Sequence, residues 1–169
     1  AERLLRPEEN MVTGFSIQDA ATRQFADPNV VLLWRCRPRK NSVQFGLADD
    51  RFQQRYPEKG LITKREVRAV SLARMQLKTD SIVWDIGAGS GAVGLEAARL
   101  CPDGYVFAIE KNADDADNAA TNRERLRVHN YRLLNAKAPD GLEQWPDPDA
   151  VFIGGSGGEL AQLIELCMA

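Results

Sequence analysis

The chain is poor in the residues that mark secreted, metal-bound and membrane-embedded proteins. Its three cysteines, Cys36, Cys101 and Cys167, stand far apart and form no C-x-x-C pair, which argues against a disulfide framework and a cysteine zinc site. No metal is expected, and a reducing cytoplasm is the expected location. The longest aliphatic and aromatic run is "VVLLW" at 30–34, far short of a membrane span, and the opening "AERLLRPEEN" carries acids where a signal peptide is apolar. Charge of one sign is also lacking: 22 Lys and Arg face 24 Asp and Glu, so the broad positive field of many nucleic-acid binders is missing. Neither a membrane nor a nucleic acid is expected as a partner. No internal repeat and no low-complexity tract appears. The only histidine, His129, follows an arginine-rich helix and is expected to end that helix rather than to catalyse.

What is present falls into two parts. At 169 residues the chain has room for one ordinary domain, or for a domain and a fragment of another. Ser16 with Asp19 three residues on can cap a short helix over about 17–25, and "NVVLLWRC" from Asn29 reads as a buried strand. The following "RPRKNSVQFGLADDRFQQRYPEKGL" mixes charge, Pro and Gly without a period, as a linker does. A boundary is expected near residues 38–46. "TKRE" at 63–66 has the form of a capping box and predicts a helix over about 64–77. From there strands and helices alternate: "SIVWDI", "VGLEAARLC", "YVFAIE", "ADDADNAATNRERLRV", "YRLLN", "DAVFIG" and "ELAQLIELCM". Nearly continuous apolar strands between amphipathic helices predict an α/β fold, a doubly wound, mostly parallel sheet covered on both faces.

The turn after the first of these strands, "DIGAGSGAVG" at 85–94, fits two frames. Gly89, Gly91 and Gly94 match the dinucleotide fingerprint G-x-G-x-x-G; Asp85, Gly87, Gly89 and Gly91 match D-x-G-x-G-x-G. In both, the loop joins a strand to a helix whose free N–H groups point into a cofactor site. Asp85 discriminates between them. A carboxylate beside a pyrophosphate would repel it in a partly desolvated cleft, whereas S-adenosylmethionine carries an ammonium and a sulfonium that an acid helps to hold. Asp85 can alternatively cap its own turn. Glu110 ends the next strand, where an acid commonly accepts from both ribose hydroxyls. Together these residues point to a class I, Rossmann-like methyltransferase using S-adenosylmethionine.

"ITKREVRAVSLARMQL", "WDIGAGSGAVGLEAARL", "AIEKN", "NAKAPDGL" and "PDPDAVFIGGSGGEL" together resemble the precorrin-6Y methyltransferase (decarboxylating) family of cobalamin biosynthesis, over roughly residues 47–169. "FADPNVVLLWRC" resembles the closing segment of the methyltransferase domain that precedes this one in two-domain members, so residues 1–40 are expected to be a remnant of that domain plus linker. The resemblance implies methylation of a meso carbon of a precorrin tetrapyrrole, carbon 15 in two-domain relatives, with loss of carbon dioxide from an acetate side chain. It also implies a homo-oligomer, a tetramer in relatives. Matched position by position, Thr63, Gly87, Ala88, Gly89, Ser90, Gly91, Glu110 and Ala138 are cofactor-binding; Gly154, Gly155, Ser156, Gly157 and Gly158 would face the substrate. Lys137 departs from relatives that have an acid before the Ala-Pro pair. The family fold continues for three strands beyond the fourth, so the chain is expected to be truncated.

"GGSGG" at 154–158 ends a strand and opens a helix with little side-chain bulk, leaving room for a flat macrocycle edged with carboxylates. Methyl transfer from a sulfonium needs alignment more than a strong base, and no catalytic residue is assigned. The arginines at 123, 125 and 127 are expected on a solvated face, the acids at 114, 115 and 117 at a helix N-terminus, and Trp84 and Trp145 in packing. Other methyltransferases, acting on RNA or protein, and a non-catalytic cofactor-binding module are the competing readings. Amino-methylating nucleic-acid enzymes usually carry an N-P-P-Y-like turn where this chain has "GGSGG".

Overall fold

The computed structural model describes residues 1–14, 16–32, 43–55 and 62–168. It divides into two compact units, Ala1–Asn41 and Ser42–Ala169. In the first, Ser16 caps helix α1 (Ile17–Thr22): its hydroxyl accepts from the Asp19 amide and the Asp19 carboxylate accepts from the Ser16 amide. The helix stops three residues short of the predicted end, where Arg23 turns extended. The strand predicted from Asn29 is not formed at Asn29–Leu32. Among the described residues of this segment only Val30 finds a backbone partner, exchanging hydrogen bonds with Ala1 at the chain start, and Val30, Val31 and Leu32 are exposed. Apolar character makes a strand only where a neighbour supplies the ladder. The rest of that segment, and most of the 38–46 boundary, lie outside the described residues.

The second unit is a parallel sheet with helices. Its elements are α2 (Arg65–Met75), β1 (Ile82–Ile86), α3 (Ala92–Leu100), β2 (Tyr105–Glu110), α4 (Ala113–Leu126), β3 (Tyr131–Asn135), β4 (Ala150–Ile153) and α5 (Leu160–Met168). The strand order is β3-β2-β1-β4 and every pairing is parallel. The chain thus runs outward from β1 through β2 and β3, then crosses back to pair β4 on the other side of β1. That reversal opens a crevice beyond the C-terminal ends of β1 and β4, the usual ligand position in open α/β sheets. Register sharpens the point: Ile86 pairs with Ile109 on one side and with Ile153 on the other, so the turns that follow three strands start at one level.

Strand alternation sorts the core into two layers. Val83 of β1 packs with Leu95, Val106, Ala108 and Tyr131, while Trp84 and Ile86 pack with Ile109, Leu142, Trp145 and Leu163. Trp84 and Trp145 meet edge to face at 5.4 Å, and the Trp84 indole donates to the Pro146 carbonyl, so both are packing residues as expected.

Two local expectations are corrected. The "TKRE" box does not form: Lys64 is the N-cap, no side chain caps the helix, and the helix ends at Met75 with Gln76 left-handed. The Thr63 carbonyl instead accepts from the Arg68 guanidinium at 2.6 Å, a bond that places the helix start one residue later than the sequence pattern. The supposed linker is also tied down over residues 46–53. Buried Glu96 accepts from the Gly46 and Leu47 amides, and Leu47 and Phe52 join the core. Its backbone bonds go to buried side chains about fifty positions away, so no local period was there to be read.

Candidate functional site

The chain leaves β1 through three left-handed glycines, Gly87 (φ 71°), Gly89 (φ 55°) and Gly91 (φ 75°), and Gly91 is the N-cap of α3. Only glycine adopts such a series without strain. The Gly87 and Ala88 amides both donate to the Ile109 carbonyl at 2.9 and 3.0 Å, which folds the turn against the end of β2. Glu110 completes the hold: its Oε2 accepts from the Gly89 amide at 2.9 Å and its Oε1 from the Asn112 amide at 2.8 Å. A carboxylate has about four acceptor positions, so two remain for a ligand. Gly94 has a different task. A Cβ there would lie 2.5 Å from Asp85 Oδ2 and 2.8 Å from Tyr131 Cε2, so it lets α3 close on the sheet.

Two adjoining cavities share Gly87 and Glu110. The larger, about 350 Å³, runs from Ile62 and Thr63 across the turn, Gly87 to Ser90, to Glu110, Asp115, Phe152 and Gly154. The smaller, about 130 Å³, lies beyond Glu110 against Lys111, Ala136, Lys137, Ala138 and the Gly155–Gly157 stretch. The structure therefore brings together Thr63, Gly87, Ala88, Gly89, Ser90, Glu110, Ala138 and Gly154 to Gly157 of the predicted residues. Gly91 and Gly158 line neither cavity. Ser90 is 3 % exposed and its hydroxyl has no hydrogen-bond partner within the protein, an unsatisfied buried polar group beside the cavity. Lys137 directs its ammonium at Glu159, 2.8 Å away; that hydrogen bond raises the lysine and lowers the glutamate from their usual ranges. Among the described residues no group of acidic, histidine and cysteine side chains could hold a metal ion, and no helix is long and apolar enough to cross a membrane.

Asp85 is the main correction. As the fourth residue of β1 it shares the face of Val83, pointing to α3, and it lines neither cavity. It is 1 % exposed; Oδ2 accepts from the Gly94 amide at 2.9 Å while Oδ1 has no partner. Burial pushes its carboxyl up to about 7, against the pull of the Gly94 bond and with help from the nearby Glu110 charge. It caps the turn rather than presenting charge to the cleft. Because the folded pKa lies above the unfolded value near 4, the folded state holds the extra proton between those values, and stability falls as pH rises from about 4 to about 7. Comparing wild type with Asp85→Asn by denaturant unfolding, the variant should gain on the order of 3 to 4 kcal/mol relative to wild type across that window. Parallel pH profiles would refute the buried, proton-holding Asp85.

Among the described residues, the acids that line the larger cavity are Glu110 and Asp115, and no Lys or Arg lines it. Asp115 was missed in the sequence, where it reads as one of several helix-start acids. The Asn112 side chain accepts from the Asp115 amide at 3.1 Å and sets the phase of α4, turning Asp115 inward beside Arg55 at 3.3 Å. Burial pushes its carboxyl up against the pull of Arg55. The N-cap Asn112, two residues after Glu110, was the available signal.

Comparison with known proteins agrees with this layout. The chain is 36 % identical over 113 residues to a precorrin-6Y C(5,15)-methyltransferase (decarboxylating) of Sinorhizobium sp., an alignment covering 67 % of this chain and 27 % of that protein. It is 40 % identical over 107 residues to a cobalt-precorrin-6B C(15)-methyltransferase (decarboxylating) of Salmonella typhimurium, covering 63 % of this chain and 55 % of the relative. The chain thus spans about half, or less, of the length of these relatives. A crystal structure of precorrin-6y C5,15-methyltransferase from Geobacter metallireducens superposes with a TM-score of 0.70 at 44 % identity, covering 75 % of this chain and 65 % of that one. Residues 54–169, more than half of the chain, match the family described as the precorrin methyltransferase domain. With its parallel Rossmann-like sheet, its glycine turn at the strand reversal and this match, the chain belongs to the precorrin methyltransferase family.

Proposed function

We propose that this chain carries the S-adenosylmethionine site of an enzyme that methylates a carbon of a precorrin tetrapyrrole and removes carbon dioxide from an acetate side chain, in cobalamin biosynthesis. The observation that carries the reading is Glu110, which stands where the two cavities meet and keeps acceptor capacity after binding Gly89 and Asn112. It would accept from the ribose hydroxyls. The smaller cavity, beside Ala138, would take the adenine, and the larger one the methionine end. The acids on the larger cavity support the choice of cofactor: Glu110, with Asp115 beside its partner Arg55, favours an ammonium and a sulfonium over a pyrophosphate. The left-handed glycines at 87 and 89, which line the cavity without side chains, fit the same ligand. When bound, it would supply a methyl group activated by its bond to a sulfonium, with the neutral thioether as the leaving group. The chain's own residues would orient that group, and the loop after β4 would leave room for a macrocycle, since a Cβ at Gly155 or Gly158 meets nothing within 4 Å. The names of the relatives supply the substrate class.

Calorimetry with S-adenosylmethionine, its demethylated product and NAD tests the cofactor. Either of the first two should bind more tightly than NAD; tighter NAD binding would overturn the assignment. Glu110→Ala should weaken the nucleoside by about 1.5 to 3 kcal/mol, the range for hydrogen bonds to a charged group. Unchanged affinity would mean that Glu110 serves the turn alone. Loss of labelled carbon dioxide and gain of a methyl group on a reduced tetrapyrrole, followed by mass spectrometry, test the reaction.

A further inference from the structure

Asn122 is fully buried on α4, and its carboxamide joins two parts of the second unit that are remote in sequence. Nδ2 donates to the Ser90 carbonyl at 2.9 Å and to the Gln53 carbonyl at 2.9 Å, while Oδ1 accepts from the Gln53 amide at 2.7 Å. The orientation of the amide follows from its partners, since two carbonyls require donors and one N–H requires an acceptor. Asn122 meets Gln53 as one strand residue meets another, with both backbone groups answered. It has no contact role on the cavity wall.

What it grips is the middle of the glycine turn. Gly89 is fixed from one side by Glu110, but Ser90 has a side chain with no partner, and Gly91 has none at all to wedge the loop. The Ile109 carbonyl and Glu110 hold the turn at Gly87, Ala88 and Gly89, and the Ser90 carbonyl anchors its far side through Asn122. The same grip holds Gln53, two residues before Arg55, and Arg55 pairs with Asp115 on the wall of the larger cavity.

We propose that Asn122 is a positioning residue of the cofactor cleft: by holding the Ser90 carbonyl against the Gln53 segment it sets the turn in its binding geometry, and ligand affinity depends on that hold. The proposal rests on the S-adenosylmethionine reading above. Asn122→Asp keeps the size of the side chain and the acceptor for Gln53 but places a carboxylate oxygen against two carbonyls. A control with the same chemistry exists elsewhere in the fold. The Asn130 carboxamide donates to the Ala98, Cys101 and Gly104 carbonyls, and Asn130 lines neither cavity.

The measurements are the affinities of S-adenosylmethionine and its demethylated product well below the melting transition, the melting temperature, and amide hydrogen exchange at Gly89 and Gly91. In Asn122→Asp both affinities should fall at least tenfold and the two amides should exchange at least tenfold faster. In Asn130→Asp the melting temperature should fall while affinity stays within twofold. Wild-type affinity in Asn122→Asp would overturn the proposal, as would losses of affinity in both variants that follow their melting temperatures. If the wild type binds neither ligand, the cofactor reading fails, and the exchange at Gly89 and Gly91 alone decides whether Asn122 sets the turn. Should Asn122→Asp fail to fold, Asn122→Ser, which lets water reach Ser90 and Gln53, carries the same readings.

Discussion

Replacing Arg68 by Met should destabilise the protein by about 3 to 5 kcal/mol, the usual cost of leaving one partner of a buried ion pair alone. Arg68 is 0 % exposed, although it lies on a helix whose neighbours are mostly at the surface. Its guanidinium pairs with Glu96 at 3.3 Å and Asp49 at 3.0 Å, and it donates to the carbonyls of Thr63 and Leu47. The plane also lies over the Phe52 ring, 4.8 Å from its centroid. Lys cannot reproduce this, because one ammonium cannot make a planar fork with four acceptors. The fully buried Glu96 would keep its two backbone amides but lose the guanidinium packed against it, leaving Arg99 as the nearby positive charge. Denaturant unfolding of Arg68→Met and Glu96→Gln, singly and together, gives the coupling. The double variant should recover part of the loss. A single-variant loss below about 1 kcal/mol would mean that water takes the place of the guanidinium.

Gly87→Ala should abolish nucleoside binding, with affinity lower by a factor of about one hundred or more, roughly 3 kcal/mol. Its φ of 71° is a conformation that costs alanine about 1 to 2 kcal/mol, and the added methyl has nowhere to go. Its Cβ would lie 2.4 Å from the Gly155 carbonyl oxygen, 2.6 Å from the Gly155 nitrogen and 2.9 Å from its Cα. All three are backbone atoms, which cannot rotate aside. The turn after β1 and the loop after β4 would have to part at the point where both border the cleft. Gly155→Ala provides the contrast in stability, because a Cβ there meets nothing within 4 Å. That variant should melt as wild type. Equal, mild effects at both positions in calorimetry and thermal melts would show that the two loops are not in register as described.

The contrast between these residues shows what was legible beforehand. The alternation of strands and helices from residue 82 onward was readable because each element carries its own period, and β1, α3, β2, α4, β3, β4 and α5 all form where the pattern puts them. The glycines of the turn and Glu110 were legible for a related reason: their roles depend on backbone conformation and on a strand end, both local. Arg68, Glu96 and Asn122 carried no such signal. Each is an ordinary polar residue on a helix, and its meaning comes from carbonyls and amides on segments far along the chain. The "TKRE" pattern was local and still did not form: Lys64 is the N-cap, and the Thr63 carbonyl accepts from Arg68, which is drawn inward by Leu47, Asp49 and Glu96.

Local sequence by itself determined the parallel α/β alternation and the position of the glycine turn, because side-chain period and the conformational freedom of glycine act within a few residues. Tertiary structure alone decided which acids face the cleft. Asp85 and Glu110 both lie near the ends of β-strands, yet the pleat turns Asp85 under α3, where the close approach of Gly94 buries it, while Glu110, last in β2, stands clear of the helix layer. Which face of a strand is covered depends on helices packed from elsewhere in the chain. Among the described residues, the acids that border the larger cavity are therefore Glu110 and, beside Arg55, Asp115 on α4, a pairing that exists only once strand and helix are packed together.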